Sequence, residues 1–150
     1  MNVLENIKIK FKDKVDIIEK SKRRVYIDVA KDDAKDIVRC LFGDMGARFS
    51  IATAIDTRLG VEILYHMAFD KDGMIVSIRT LVAKPELKMT TFTDIIPGTD
   101  WIEREIHEMF GVDFIGHPNL ERLLLPDDWE EGVYPFRKKT FESEKENLER

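Results

Sequence analysis

The sequence of 150 residues holds a single cysteine, Cys40. An internal disulfide is therefore impossible, and a four-thiolate iron–sulfur or zinc site cannot be built by this chain alone. Long apolar runs are also missing. Nothing approaches the ~18 residues that cross a bilayer, and the opening MNVLENIKIKFK alternates lysines where a signal peptide would be apolar. A soluble chain is expected. No Gly-x-Gly-x-x-Gly follows a strand, no Gly-Lys-Ser/Thr phosphate loop occurs, and no Ser or Cys nucleophile has an oxyanion loop beside it. Self-contained catalysis has no visible site. Prolines are scarce and one-sided: all 5 lie in the second half, at Pro85, Pro97, Pro118, Pro126 and Pro135, where they interrupt anything longer than a short helix.

What is present suits one domain, since 43% hydrophobic residues over this length fill one core and not two. The net charge of −5 is unevenly placed. Residues 1–99 carry 17 Lys+Arg against 15 Asp+Glu, and residues 100–150 carry 7 against 14. The only basic stretch is 1–24, with 8 Lys+Arg against 4 acids, and no aromatic stacking motif accompanies it, so nucleic-acid binding is not expected. A charged content of 35%, rich in Lys and Glu, fits a thermophile.

Hydropathy periods give the organisation. RVYIDVA alternates, with Val25, Ile27 and Val29 on one face, as a half-buried strand does. DDAKDIVRCLFGDMG places Ala34, Ile37, Val38, Leu41, Phe42 and Met45 at helical spacing, with Asp32 as the expected cap and Gly46 as the terminator. Cys40 beside Leu41 reads as a small buried or half-buried thiol. ARFSIATAIDT, VEILYHMAFD and MIVSIRTLVA then form three strands joined by short turns at Leu59-Gly60 and DKDG. In the middle strand Val61, Ile63, Tyr65, Met67 and Phe69 share the core face. The expected fold is α+β: an antiparallel sheet of about four strands over residues 1–111, with helices packed on one face. An irregular segment, 112–140, follows and needs a surface for Phe114, Leu123, Leu124, Leu125 and Trp129. A polar tail at 141–150 is expected to be flexible.

DWIEREIHEMFG, residues 100–111, is a short helix. Asp100 and Glu103 have capping-box spacing, Gly111 is the stop, and Ile102, Ile106, Met109 and Phe110 form the apolar stripe opposite Arg104, His107 and Glu108. Glu105, between Trp101 and Met109, is the carboxylate expected to be partly desolvated, with Arg122, Arg137 or a partner as its cation. His107-Glu108 lacks the second histidine of a zinc-protease motif, because position 111 is Gly.

The run EREIHEMFGVDFIGHPNLERLLLPDDWEEGVYPFRK, Glu103 to Lys138, resembles the 30 kDa (C) subunit family of respiratory complex I and the related subunit of energy-converting membrane-bound hydrogenases. That family's pattern is E-R-E-x-x-D-M-F-G-I-x-F-x-G-H-P-x-L-x-R-x-L-x-x-x-x-W. This chain departs from it at His107, at Glu108, at Glu121 and in KKTFES. The resemblance implies a peripheral-arm scaffold with no redox centre and no catalytic, cofactor or metal residue of its own. It would pack on the large catalytic-type (49 kDa-like) subunit and beside iron–sulfur subunits. Iron–sulfur clusters and nickel–iron or quinone sites would sit in those partners, with the membrane's cytoplasmic face reached through other subunits. The residues it places at the partner interface are Glu103, Arg104, Glu105, Glu108, Phe110, His117, Arg122, Trp129, Arg137 and Lys138. A stand-alone ferredoxin-like binding module, and a small hydrolase using Glu105 and His107, are the competing readings.

Overall fold

In the computed structural model, residues 2–138 are described. The expected polar tail, 141–150, lies outside them.

The first helix, α1 (Val3–Lys10), starts at a true capping box: the Asn2 side chain accepts from Leu4 N at 3.0 Å, and Asn2 N donates to Glu5 at 3.2 Å. It buries Ile7 completely. Strands β1 (Val15–Ser21) and β2 (Arg24–Val29) form an antiparallel hairpin. Helix α2 (Lys31–Arg39) continues as a π-helical turn, Cys40–Asp44, and Gly46 supplies the left-handed residue after it, at φ 68°. Its cap is not Asp32 but Ala30, which offers no side-chain bond. Asp32 instead lies in the first turn, where its charge favours the helix dipole. Ala34, Ile37, Val38 and Leu41 are buried as their spacing predicts, and so is Cys40.

Strands β3 (Arg48–Asp56), β4 (Gly60–Phe69) and β5 (Met74–Ala83) lie where alternation placed them and pair antiparallel. The sheet has five strands rather than about four, in the order β1-β2-β5-β4-β3, and β2 runs parallel to β5. The parallel pair exists because α2 and the β3–β4 hairpin intervene between the two strands and supply the crossover. β1 escaped notice because its Ile17 and Ile18 are adjacent and both half-buried, which breaks the two-residue period. On β4, Val61, Ile63, Tyr65 and Met67 are all fully buried.

The second half is more regular than its prolines suggest. β6 (Lys88–Thr90) pairs in parallel with β7 (Asp113–Ile115), so the segment after residue 111 begins as a strand. Between them a 3-10 turn, Pro97–Thr99, leads into α3 (Asp100–Phe110). Phe92, Ile106, Val112 and Phe114 join the sheet residues in one apolar cluster with Ile7 and Ile37.

One position in that core is out of character. Thr80 on β5 is 1% exposed, and its hydroxyl has no hydrogen-bond partner. An orphaned buried hydroxyl costs about 1–3 kcal/mol. Thr80→Val is therefore expected to raise stability by about 1 kcal/mol, a gain of roughly 2–4 °C in melting temperature for a chain of this size. Thermal unfolding by circular dichroism reads this directly, and a lowered midpoint would mean that the hydroxyl has a solvent partner.

Candidate subunit interface

α3 is the element on which the second half is organised. Thr99 precedes it without making a side-chain cap, its hydroxyl donating instead to Ile96 O at 2.9 Å. The capping box expected from Asp100 and Glu103 is not formed. Glu103 points inward and is 0% exposed. Its Oε1 accepts from Phe92 N at 2.9 Å and from the Tyr65 hydroxyl at 3.2 Å, and the Thr91 hydroxyl meets its Oε2. Burial pushes the carboxyl above the ordinary glutamate range, and the hydrogen bonds from Thr91, Phe92 and Tyr65 only partly offset it. The same burial, with the carboxyl beside it, raises the Tyr65 phenol well above its usual value.

The carboxylates of this helix that leave water are thus Glu103 and Glu108, whereas Glu105 is only half-buried. Trp101, which suggested the Glu105 flank, is 69% exposed. Arg122 and Arg137, the expected cations for Glu105, bind main-chain carbonyls instead.

The polar face of α3 is not a solvent face either. Residues 112–138 run across it, and the helix side chains complete that segment's main-chain hydrogen bonds. Both oxygens of Glu108 accept backbone donors, Leu123 N at 2.5 Å and Leu124 N at 2.9 Å, and Glu108 is buried in consequence. Arg104 donates to Glu121 O at 3.0 Å and Arg122 O at 2.6 Å. His107 Nδ1 meets Val112 O at 2.8 Å. Arg122 holds the next loop through Pro126 O and Trp129 O, and the Trp129 indole donates to Val133 O. At the helix end, Phe136 N donates to Met109 O and Arg137 Nε to Phe110 O, so two orphan carbonyls of the last turn are satisfied from outside. Gly111, at φ 78°, permits this return, because a Cβ there would lie 2.7 Å from the Tyr134 ring and 2.8 Å from the Arg137 guanidinium. Arg137 stacks over Tyr134 at 4.7 Å, and Phe136 meets Phe110 edge-on at 5.7 Å.

His117 and Lys138 close the segment on other elements. The His117 side chain is buried, with Nε2 3.1 Å from Asp100 O and Nδ1 accepting from Asn119 N. Lys138 N donates to Asp56 Oδ2 at 2.9 Å, while Lys84 Nζ holds Asp56 Oδ1 at 2.7 Å. Burial would raise the Asp56 carboxyl, but the Lys84 and Lys138 hydrogen bonds outweigh it and hold the group below the ordinary aspartate range.

Eight of the ten residues named from the sequence therefore converge within this chain on one clamp between α3 and its wrapping segment; Glu103 ties the helix inward to β4 and the Thr91–Phe92 loop, and Glu105 stands apart. Asp56, which holds the end of the wrap, and Tyr65 and Thr91, which hold Glu103, were not named from the sequence. Asp56 left a trace, since it shares the inward face of β3 with Ala52 and Ala54 in an otherwise alternating strand. Thr91 left none, because it lies in a stretch without a period. Outside the clamp, large apolar side chains face solvent: Trp101, Leu124 at 60% and Phe136 at 56% exposure. A cleft of about 350 Å³ separates the helix from the wrap, lined by His107, Arg122, Leu125, Trp129 and Tyr134 among others. Among the described residues no helix is long and apolar enough to cross a membrane.

Residues 27–146 match the family described as Respiratory-chain NADH dehydrogenase, 30 Kd subunit. The C subunit of an NADH-quinone oxidoreductase from Citrifermentans bemidjiense is 31% identical over 119 residues, covering 76% of this chain and 72% of the relative. The C/D subunit of an NADH-quinone oxidoreductase from Nitrosospira multiformis is 39% identical over 88 residues, covering 52% of this chain and 14% of that longer protein. Among solved structures, a chain of the membrane-bound sulfane sulfur reductase, an archaeal respiratory membrane complex, superposes with a TM-score of 0.82 at 25% identity, covering 99% of this chain and 90% of that one.

Two outcomes follow from the clamp. Glu108→Ala strands two backbone N–H groups, each losing a bond worth about 1.5–3 kcal/mol, so amide exchange at Leu123 and Leu124 should accelerate by at least tenfold while β4 and β5 keep their protection. Unchanged exchange at those two amides would show that the wrap does not depend on Glu108. For Asp56 the folded value is depressed, so its stabilisation is present above the ordinary aspartate range and is lost as pH falls through the folded value. Asp56→Asn should flatten that acid limb of the stability profile in denaturant titrations, and an unaltered limb would refute the assignment.

Proposed function

The chain belongs to the respiratory-chain NADH dehydrogenase 30 kDa subunit family, and on that premise we propose that it is a non-redox scaffold which docks on the large, 49 kDa-like catalytic subunit of a membrane-bound, ion-translocating oxidoreductase. Membership makes it a subunit of an oxidoreductase complex of the complex I type. The observation that carries the docking role is the contrast on the α3 ledge. Main-chain polar groups of residues 112–138 are satisfied from within by Arg104, Glu108 and Arg122, yet Trp101, Leu124 and Phe136 are left in water. A segment held this firmly does not expose large apolar groups for lack of order; such a surface suits a partner.

The C/D relative supports the same reading. The region this chain matches is 14% of that protein, so there the C-like part is covalently joined to a much larger one. The residues named from the sequence then act mostly as supports that shape the ledge, and the contact itself falls to Trp101, Leu124 and Phe136. Iron–sulfur clusters, and any nickel–iron or quinone site, belong to the neighbouring subunits. In this proposal the chain reaches the cytoplasmic face of the membrane through them; the likeness to a chain of an archaeal respiratory membrane complex supports the membrane attachment.

Co-expression with the large subunit tests this. Leu124→Asp and Phe136→Asp place a charge on the ledge without touching the clamp's hydrogen bonds, and each should lower the yield of assembled complex by more than about tenfold, the loss of one hot-spot residue. The melting temperature of the free chain should stay within about 2 °C of wild type for Leu124→Asp, whereas Phe136→Asp also loses the edge contact with Phe110. Normal assembly of both variants would remove this face from the interface.

A further inference from the structure

Glu103 is a buried titratable group that holds α3 in place, and that task needs its hydrogen bonds but not its charge. A carboxylate at 0% exposure normally has a cation against it, because charge removed from water is costly unless paired. Here the neighbours can be named element by element. β4 offers the Tyr65 phenol, the loop after β6 offers the Thr91 hydroxyl and Phe92 N–H, and the turn after β7 offers the buried His117 ring. Among the described residues no lysine or arginine nitrogen lies within ion-pairing distance of it.

A charged His117 would pull Glu103 back towards ionisation. Its ring nitrogens are engaged elsewhere. Nδ1 meets the Asn119 N–H and Nε2 lies 3.1 Å from Asp100 O, so the hydrogen bonds of the ring run to main-chain groups and not to Glu103. The other charged group on that side, Asp100, is an acid 3.7 Å from the same ring. Within hydrogen-bond reach Glu103 therefore meets only a phenol, a hydroxyl and a main-chain N–H.

We propose that Glu103 is a proton-binding site: in the folded chain its carboxyl stays protonated above the pH at which solvated glutamates ionise, joining α3 to β4 and to the Thr91–Phe92 loop as a neutral group. The hydrogen-bond count permits this. Thr91 Oγ1 accepts from Thr93 N at 3.1 Å and lies 2.9 Å from Thr93 Oγ1, so it can donate its hydrogen bond to Thr93 Oγ1 and accept one from a protonated Glu103 Oε2. Tyr65 and Phe92 still donate to Oε1 in that state. Ionisation then places an unpaired charge under α3, the helix that carries the wrapping segment. The proposal is independent of the docking role and needs no partner to test.

The sign follows from linkage. A folded state that binds one more proton than the unfolded state loses stability as pH rises through the interval between the two pKa values. In the full chain, wild type and Glu103→Gln are unfolded by denaturant between about pH 4 and about pH 8. Glutamine keeps the shape and the neutral charge. Above the ordinary glutamate range the wild-type folding constant should fall relative to the variant by up to about tenfold per pH unit, and below that range the two should run parallel. A pH-independent difference, or a wild type that gains on the variant as pH rises, overturns the assignment. The carboxyl carbon resonance of Glu103 in wild-type protein decides the matter even if Glu103→Gln does not fold. It should keep its protonated position after exposed glutamates have titrated, and movement together with them refutes the proposal.

Discussion

A carboxyl group withdrawn from water must find donors, and Glu103 finds them on two elements far apart in sequence: Tyr65 in the middle of β4, and Thr91 with Phe92 beyond β6. This requirement fixes how α3 sits. The helix cannot rotate about its axis or slide along the sheet without stranding the carboxyl, and losing one partner of a fully buried polar group costs more than the bond itself contributes. The register of α3 is therefore set by a polar contact inside an apolar cluster. Apolar packing alone would tolerate small rotations.

Once that rotation is fixed, the opposite face of α3 becomes a template. Arg104, His107 and Glu108 project outward at positions set by Glu103, and each bonds main-chain groups of the chain that follows. Residues 116–138 contain no helix or strand, so their backbone N–H and C=O groups need partners from elsewhere. The helix supplies a carboxylate for two N–H groups and a guanidinium for two carbonyls. The segment returns part of this by capping Met109 and Phe110. A titratable cluster that could be mistaken for a catalytic centre thus serves as a substitute for secondary structure.

The proposed docking role would draw on the stiffness this produces. Association between two proteins gains from preorganised anchors, because side chains and loops already fixed lose little freedom on binding. The ledge presents Leu124 and Phe136 from a segment tied down at Glu108, Arg122, Arg137 and Asp56.

The sequence by itself determined the local structure. The alternation of β3 to β5, the stripe of α2 and the glycine stop of α3 are short-range properties, written in periods of about two and about 3.6 residues, and the long Glu103 to Lys138 run carried the family. It did not determine which flank of α3 is buried. At about 100° per residue Glu103 and Glu105 lie on opposite sides of the same apolar stripe, nearly equally far from its centre, and the nearby Trp101 pointed to the wrong one. Only the tertiary structure decides this, since the donors that make burial tolerable on one side come from β4 and the Thr91 loop, 38 and 12 residues away. The same holds for β1, whose pairing with β2 outweighs its broken period, and for the wrap, many of whose hydrogen-bond partners are on a helix and a strand end far from it in sequence. Periodicity reports what a segment can bury; which neighbours satisfy its polar groups is a property of the assembled fold.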